Sequence, residues 1–273
     1  MNEPFHVISP KGQRAPIVIS VPHCGVKFPI ELNKAYQKDL MQQPDDTDWF
    51  VHQLYEFASE LGITIIHAKY SRWVIDLNRD PKSAPLYNDG RIITGLTTLT
   101  DFFGKDIYID EEHTPNKQEV DRRLKQYYWP YYNKIESLLS DLKTEFDHVL
   151  LWDAHSIRQS VKTIRQDDFP DLILGNNDEI TAHQNLIKVA LSGLKKAGHE
   201  VTHNTPFKGG HITRYFGKPE NGIHALQLEM VKKLYMEDDE LTFSEDRANN
   251  IRKVLIPIFK NLISSLNQLS FKK

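Results

Sequence analysis

Apolar residues fall in a sequence of short runs and helical stripes. Residues 16–21 (PIVISV) are apolar and β-branched and stop at Pro22, which predicts a buried strand. Val51, Leu54, Tyr55 and Ala58 then recur at helical spacing until Gly62, predicting a helix over 48–61. Strands are predicted over 63–67 and 73–77, the second running into the polar group Asn78-Arg79-Asp80. From 81 to 115 the pattern is irregular and rich in Gly, Pro, Asn and Thr; a loop this long inside a compact domain is more often functional than idle. Residues 117–146 read as helix, with a kink or break expected near the YYWPYY run that holds Pro130. Strands follow at 149–152, ahead of Asp153-Ala154-His155-Ser156, and at 172–174. A helix over 179–197 closes on Gly198, and a short strand covers 200–203. In 225–230 apolar residues alternate with Gln227 and Glu229, and an amphipathic helix over 244–266 is expected to kink at Pro257. Strands alternating with helices, without internal repeat or linker, predict one α/β domain over 1–273 around a mainly parallel sheet.

The 273 residues are ample for a sizeable core, and 40% hydrophobic with 26% charged residues is an ordinary globular balance. A formal net charge of −3 gives no global pull toward nucleic acid or a membrane surface, although local basic residues can still hold a small anion. The single cysteine, Cys24, excludes an internal disulfide and suits a reducing cytoplasm. Residues 1–15 lack the apolar stretch of a signal peptide, and no apolar run approaches the roughly 20 residues of a membrane span.

In open α/β sheets ligands gather beyond the carboxyl ends of the strands. His23 stands after the first predicted strand, Asn78 and Arg79 after the third, Asp153 and His155 after 149–152, and Glu229 at a late strand end. Two histidines, a carboxylate and an open position are a standard catalytic zinc set, and a further carboxylate is then needed to move protons. Glu229, flanked by Leu226, Leu228 and Met230, suits that task, since burial raises a carboxyl pKa. Each residue also has a plainer reading. A lone histidine at a strand end is more often a hydrogen-bonding core residue, and Asp153 is either an orienting partner for a ligand imidazole or part of an ordinary turn. Gly209-Gly210-His211 is either a close backbone approach to a ligand or a simple turn. The other histidines, His52 and His67 among them, read as structural or surface residues. Neighbours on a strand point to opposite faces, so His23 is poorly placed to activate Cys24 as a nucleophile.

Six segments occur in order: Val21-Pro22-His23-Cys24-Gly25, Asp46-Thr47-Asp48-Trp49, Ile75-Asp76-Leu77-Asn78-Arg79, Asp153-Ala154-His155-Ser156, Lys208-Gly209-Gly210-His211 and Ala225-Leu226-Gln227-Leu228-Glu229. Together, over about residues 16 to 230, they resemble the N-formylglutamate amidohydrolases, where serine is common at the place of Cys24. The resemblance implies a zinc carboxypeptidase-like fold, a three-layer α/β/α arrangement with a mixed, mainly parallel sheet. It implies one zinc ion per chain, with His23 the first ligand, His155 the last, and Glu229 the catalytic carboxylate. Asn78-Arg79 resembles the pair that holds a substrate carboxylate. Carboxypeptidase-like sites take an acidic ligand three residues after the first histidine, where this chain has Val26. Asp48 or Asp46 must supply it; Asp48, sharing a helical face with Val51, Leu54 and Ala58, is preferred.

The expected substrate is a small dianionic N-acyl amino acid, N-formyl-L-glutamate first, cleaved to formate and glutamate in histidine degradation. Arg72, Lys208 and Arg214 are candidates for its second carboxylate, with Gly210 and His211 as lining residues. The alternatives are an N-acyl-aspartate or N-succinylglutamate hydrolase, or a binding protein without catalysis, for which a proton-shuttling Glu229 would have no purpose.

Overall fold

The computed structural model describes residues 3–82 and 95–269. Among them, seven strands form one sheet: β1 (Phe5–Ile8), β2 (Ile17–Val21), β3 (Thr64–Ala68), β4 (Val149–Ile157), β5 (Leu172–Gly175), β6 (Val201–His203) and β7 (Ile223–Val231). Their spatial order is β1-β3-β2-β4-β7-β5-β6. The pairs β2/β3, β2/β4, β4/β7 and β5/β6 are parallel, while β1/β3 and β5/β7 are antiparallel. The sheet is therefore mixed and mainly parallel, as the sequence predicted.

Helices cover both faces, which is why the central strands are buried on both sides. One face of Ile17, Ile19, Val21, Leu150, Trp152, Ala154, Leu226, Leu228 and Met230 packs with α2 (Val51–Leu54), α5 (Gln184–Lys195) and α7 (Glu245–Gln268). The opposite face, from Val18, Ile66, Val149, Leu151 and Ala225, meets α4 (Trp129–Lys143) and α6 (His211–Phe216). The remaining helices are α1 (Lys38–Gln42) and α3 (Lys117–Arg123). No helix among the described residues is long and apolar enough to cross a membrane.

Several elements differ from the sequence expectation. Residues 73–77 form no strand: Val74 turns back on Ser71, and the Asp76 amide donates to the Leu96 carbonyl. Trp73, Val74, Ile75 and Leu77 are apolar because they are buried in the core on the α4 side, and a continuous apolar run does not distinguish that from a ladder. The helix expected over 48–61 is one α-turn followed by a 3-10 stretch, Glu56–Leu61. In 117–146 the break precedes Pro130: a π-helical turn, Leu124–Tyr128, separates α3 from α4, and Pro130 sits in the first turn of α4, where its missing N–H costs little. The helix α7 runs through Pro257. The helix expected from 179 starts at Gln184, since Asn177, Asp178 and Glu179 adopt left-handed φ values. Most consequential, β4 continues to Ile157, so Asp153 and His155 lie in the strand rather than after it. Part of the irregular 81–115 region, residues 83–94, lies outside the described residues; the remainder packs Leu96, Ile107 and Tyr108 into the core and lays Phe102 against the Arg72 guanidinium.

Candidate functional site

Alternation along β4 and β7 creates the site. Val149 and Leu151 face α4, so Asp153 and His155 face the same way two and four positions on. On β7, Gln227 and Glu229 share the face of Ala225. The register pairs Asp153 with Gln227 and His155 with Glu229, which sets His155 and Glu229 side by side on adjacent parallel strands. The chain reaches the same place after β2, where His23 leaves the strand end.

His23, Asp48 and His155 are all buried and form a group whose ligand atoms lie within 4.8 Å of one another. Their imidazoles meet edge to face, with centroids 4.8 Å apart. Asp48 Oδ2 lies 3.0 Å from His155 Nδ1 and 3.8 Å from His23 Nδ1. The Asp48 amide donates to the His23 carbonyl at 3.0 Å, which ties the two segments together. Just beyond, Phe50 holds φ at 60°, a left-handed value that an aromatic residue adopts only under constraint, as the chain turns into α2.

The outer nitrogen of each ring is also held. His23 Nε2 lies 2.8 Å from Asp76 Oδ1, and His155 Nε2 lies 3.2 Å from Asp153 Oδ2. Both ring orientations are thereby set by buried carboxylates, leaving Nδ1 of each ring toward Asp48, the arrangement that metal-binding histidines use. Three buried carboxylates thus contact two imidazoles; of the buried cations nearby, Arg72 donates to Asp76 Oδ2 at 2.6 Å and Lys232 lies within the field of Asp48. Two imidazole nitrogens and a carboxylate oxygen, with this excess of buried negative charge, suit a borderline dication.

Burial, with Arg72 adding, lowers the His23 pKa to about 4 against the pull of Asp76, so this ring is neutral. Burial acts the same way on His155, but Asp153 and Asp48 outweigh it and hold its pKa well above the ordinary value. Burial also opposes ionisation of Asp48, yet the His155 hydrogen bond and the His23 ring keep its pKa low. Glu229 is the reverse case: burial, reinforced by Asp48 and opposed by His155, raises its pKa from 4.5 to about 8.

The other sequence candidates divide. Asp46 faces Arg72, with Oδ2 3.6 Å from Nε, and burial raises its pKa to about 6; it is not in the group with the imidazoles. Arg72 is buried and engaged by Asp76 and Asp46. Asn78 is likewise absorbed into the framework: Oδ1 accepts from the Ile212 amide at 2.8 Å, and Nδ2 lies 3.0 Å from His155 Nε2 and 3.4 Å from Asp153. Gly210 must be glycine here, because a Cβ would stand 2.2 Å from that amide nitrogen. Its N–H donates to Gln227 Oε1 at 2.7 Å. His211 opens α6, with its Nδ1 2.8 Å from the Tyr132 hydroxyl and 3.1 Å from the Tyr128 hydroxyl, which themselves donate to the Leu77 and Arg79 carbonyls. Arg79 is about one quarter exposed at the rim, 3.8 Å from Asp76. Arg214 donates to the Gly209 carbonyl, while Lys208 reaches outward to Asp178. Asp76 is the functional residue that sequence reasoning missed. Its signal was a carboxylate between Ile75 and Leu77, in a stretch that reads as core.

Comparison with known proteins follows this geometry. A profile described as N-formylglutamate amidohydrolase matches residues 15–236. The chain is 37% identical over 261 residues to the N-formylglutamate deformylase of Pseudomonas putida, covering 94% of this chain and 96% of that one. It is 38% identical over 264 residues to the N-formylglutamate deformylase of Pseudomonas aeruginosa, with the same coverage. Among solved structures, an N-formylglutamate amidohydrolase from Ralstonia eutropha JMP134 superposes with a TM-score of 0.82 at 24% identity, covering 98% of this chain and 99% of that one. The product Atu2144 of Agrobacterium tumefaciens superposes at 0.75 and 16% identity, covering 97% and 96%.

Proposed function

We propose that this chain, which belongs to the N-formylglutamate amidohydrolase family, hydrolyses N-formyl-L-glutamate to formate and L-glutamate in histidine degradation, with one zinc ion held in the site by His23, Asp48 and His155. The observation that carries the reading is the convergence of these three buried side chains beside Glu229, which is registered against His155. When bound, zinc supplies a water that ionises near neutral pH and polarises the scissile carbonyl.

The protein's own groups do the rest. Asp76 and Asp153 hold the Nε2 sides of His23 and His155, so each ring turns Nδ1 toward Asp48; the neutral His23 ring offers its lone pair directly, and His155 would do so on releasing its second proton to solvent as a metal binds. Glu229 accepts the proton of the attacking water as its oxygen bonds to the formyl carbon. It returns that proton to the amide nitrogen as the C–N bond breaks, releasing formate and the amine of glutamate. Its raised pKa in the metal-free chain suits the second transfer; the first needs the ionised carboxylate, which a cation held by His23, Asp48 and His155 would favour by drawing that pKa down. Arg79, at the rim, takes one substrate carboxylate in a two-pronged pair. Arg214 and His211, on the first turns of α6, are the nearest candidates for the second, with Lys208 further out.

The test is a panel of N-formyl, N-acetyl and N-succinyl derivatives of glutamate and aspartate, assayed with zinc-loaded and chelator-stripped protein. We expect formylglutamate to be cleaved fastest and only by the loaded protein. Faster cleavage of a larger acyl group would replace the substrate, and full activity after stripping would remove the metal.

A further inference from the structure

We propose that Cys24, His52 and His67 form a second metal site, selective for a thiophilic dication such as zinc, which clamps together the two segments that carry His23 and Asp48. Their ligand atoms lie within 4.8 Å of one another, in a group separate from His23, Asp48 and His155. Cys24 Sγ is 3.8 Å from His67 Nδ1. The His52 and His67 rings lie 4.8 Å apart and nearly parallel. Cys24 follows His23 directly, but the two side chains diverge: His23 turns to Asp76 and Asp48, whereas Cys24 turns to the Val21 and Ala68 carbonyls and to His67. The second group therefore stands behind the first.

An independent sign is His52 Nδ1, a buried nitrogen with no hydrogen-bond partner among the described residues. Leaving such an atom desolvated and unpaired is unfavourable unless something binds it. Burial, with His52 and His6 adding, lowers the His67 pKa to about 4, so this ring keeps a lone pair at neutral pH. Burial and the nearby Asp48 push the Cys24 thiol up, so it is neutral in the metal-free chain and would ionise only on binding; as a thiolate with two imidazoles it makes a borderline-soft set that favours zinc over magnesium or calcium. Binding exchanges the thiol S–H bond for a sulfur–metal bond and sends the proton to solvent. Cys24 is buried while both histidines are half-buried, so the fourth position opens outward to water.

The placement gives the site its purpose. His52 is on α2, four residues beyond Asp48; Cys24 is one residue beyond His23; His67 is on β3, the neighbour of β2. One ion would fasten the His23 segment and the Asp48 segment to the sheet. This proposal does not depend on the substrate assignment, because none of its three residues belongs to the catalytic group.

Cobalt(II) distinguishes the two sites, since only this one contains sulfur. We expect stripped protein to take up two cobalt ions per chain and to show a near-ultraviolet thiolate-to-cobalt charge-transfer band. In Cys24→Ser the band should vanish and the stoichiometry fall to one. His67→Ala should do the same, with Cys24→Ser deciding if that variant fails to fold. A wild-type protein that shows no such band, whether it binds one cobalt or two, overturns the proposal. So does a second cobalt retained by Cys24→Ser.

Discussion

Replacing Glu229 by glutamine should make the metal-free protein more stable and the loaded protein nearly inactive. Burial raises the Glu229 pKa from 4.5 to about 8, so between those values the folded chain holds a proton that the unfolded chain has released. Stability therefore falls as pH rises through this window, by about 1.4 kcal/mol per pH unit. At pH 7 the cost of this one side chain is about 3 kcal/mol, and below pH 4.5 it disappears. Glutamine has the same shape and no proton to lose. Urea unfolding of chelator-stripped wild type and Glu229→Gln should show nearly equal midpoints at pH 4.5 and a variant advantage of about 3 kcal/mol at pH 7. In the same variant, zinc content should be unchanged, and the rate on N-formylglutamate should drop roughly 10²–10⁴-fold, mainly in kcat. A stability gap independent of pH would refute the account of Glu229 burial. Wild-type turnover by Glu229→Gln would refute its role in proton transfer.

His23→Ala and His155→Ala should each lose both bound zinc and activity, measured by metal analysis and formate release; full zinc occupancy in both variants would overturn the ligand set. Asp48→Asn should weaken zinc affinity well beyond the roughly 10–100-fold expected of an outer partner, whereas Asp46→Asn, which removes a charge facing Arg72, should leave zinc affinity within that range. Asp76→Asn leaves His23 Nε2 without its carboxylate, so zinc affinity should fall about 10–100-fold in a competition titration with a coloured chelator. Arg79→Lys should impair formylglutamate turnover at unchanged zinc content, since lysine keeps the charge and loses the two-pronged geometry; unaltered KM and kcat would remove Arg79 from the substrate pocket.

What the sequence disclosed depended on how local its physical cause was. The strands β2, β3, β4, β5 and β7 were legible because each is a short apolar run bounded by polar residues or turn formers, and His23 and Glu229 were legible from their positions on such runs. The length of β4 was not, because Asp153 and His155 are polar yet strand-paired, their polarity met by Asp48, Asn78 and Thr213 from elsewhere in the chain. Residues 73–77 misled in the opposite sense, being apolar through burial under α4 without any ladder. The choice between Asp46 and Asp48 turned on side-chain direction across a two-residue interval, which no periodicity reports. The fate of Arg72 and Asn78 was equally hidden, since each is claimed by partners remote in sequence or by a turn that forms only in the folded chain.

The registration of His155 against Glu229 on adjacent parallel strands has an evolutionary reading. Inserting or deleting one residue early in β4 would turn His155 toward Trp152's side of the sheet, so these strands tolerate exchange of residues far better than changes of length. Asn78, Gly210 and Ile212 are tied to His155, Gln227 and one another, but the stretches that follow Arg79 and precede Lys208 lie outside those contacts and outside the strand register, so their length is not set by it. A descendant could therefore remodel which acyl amino acid it accepts by lengthening or reshaping those segments, while inheriting the reacting centre unaltered.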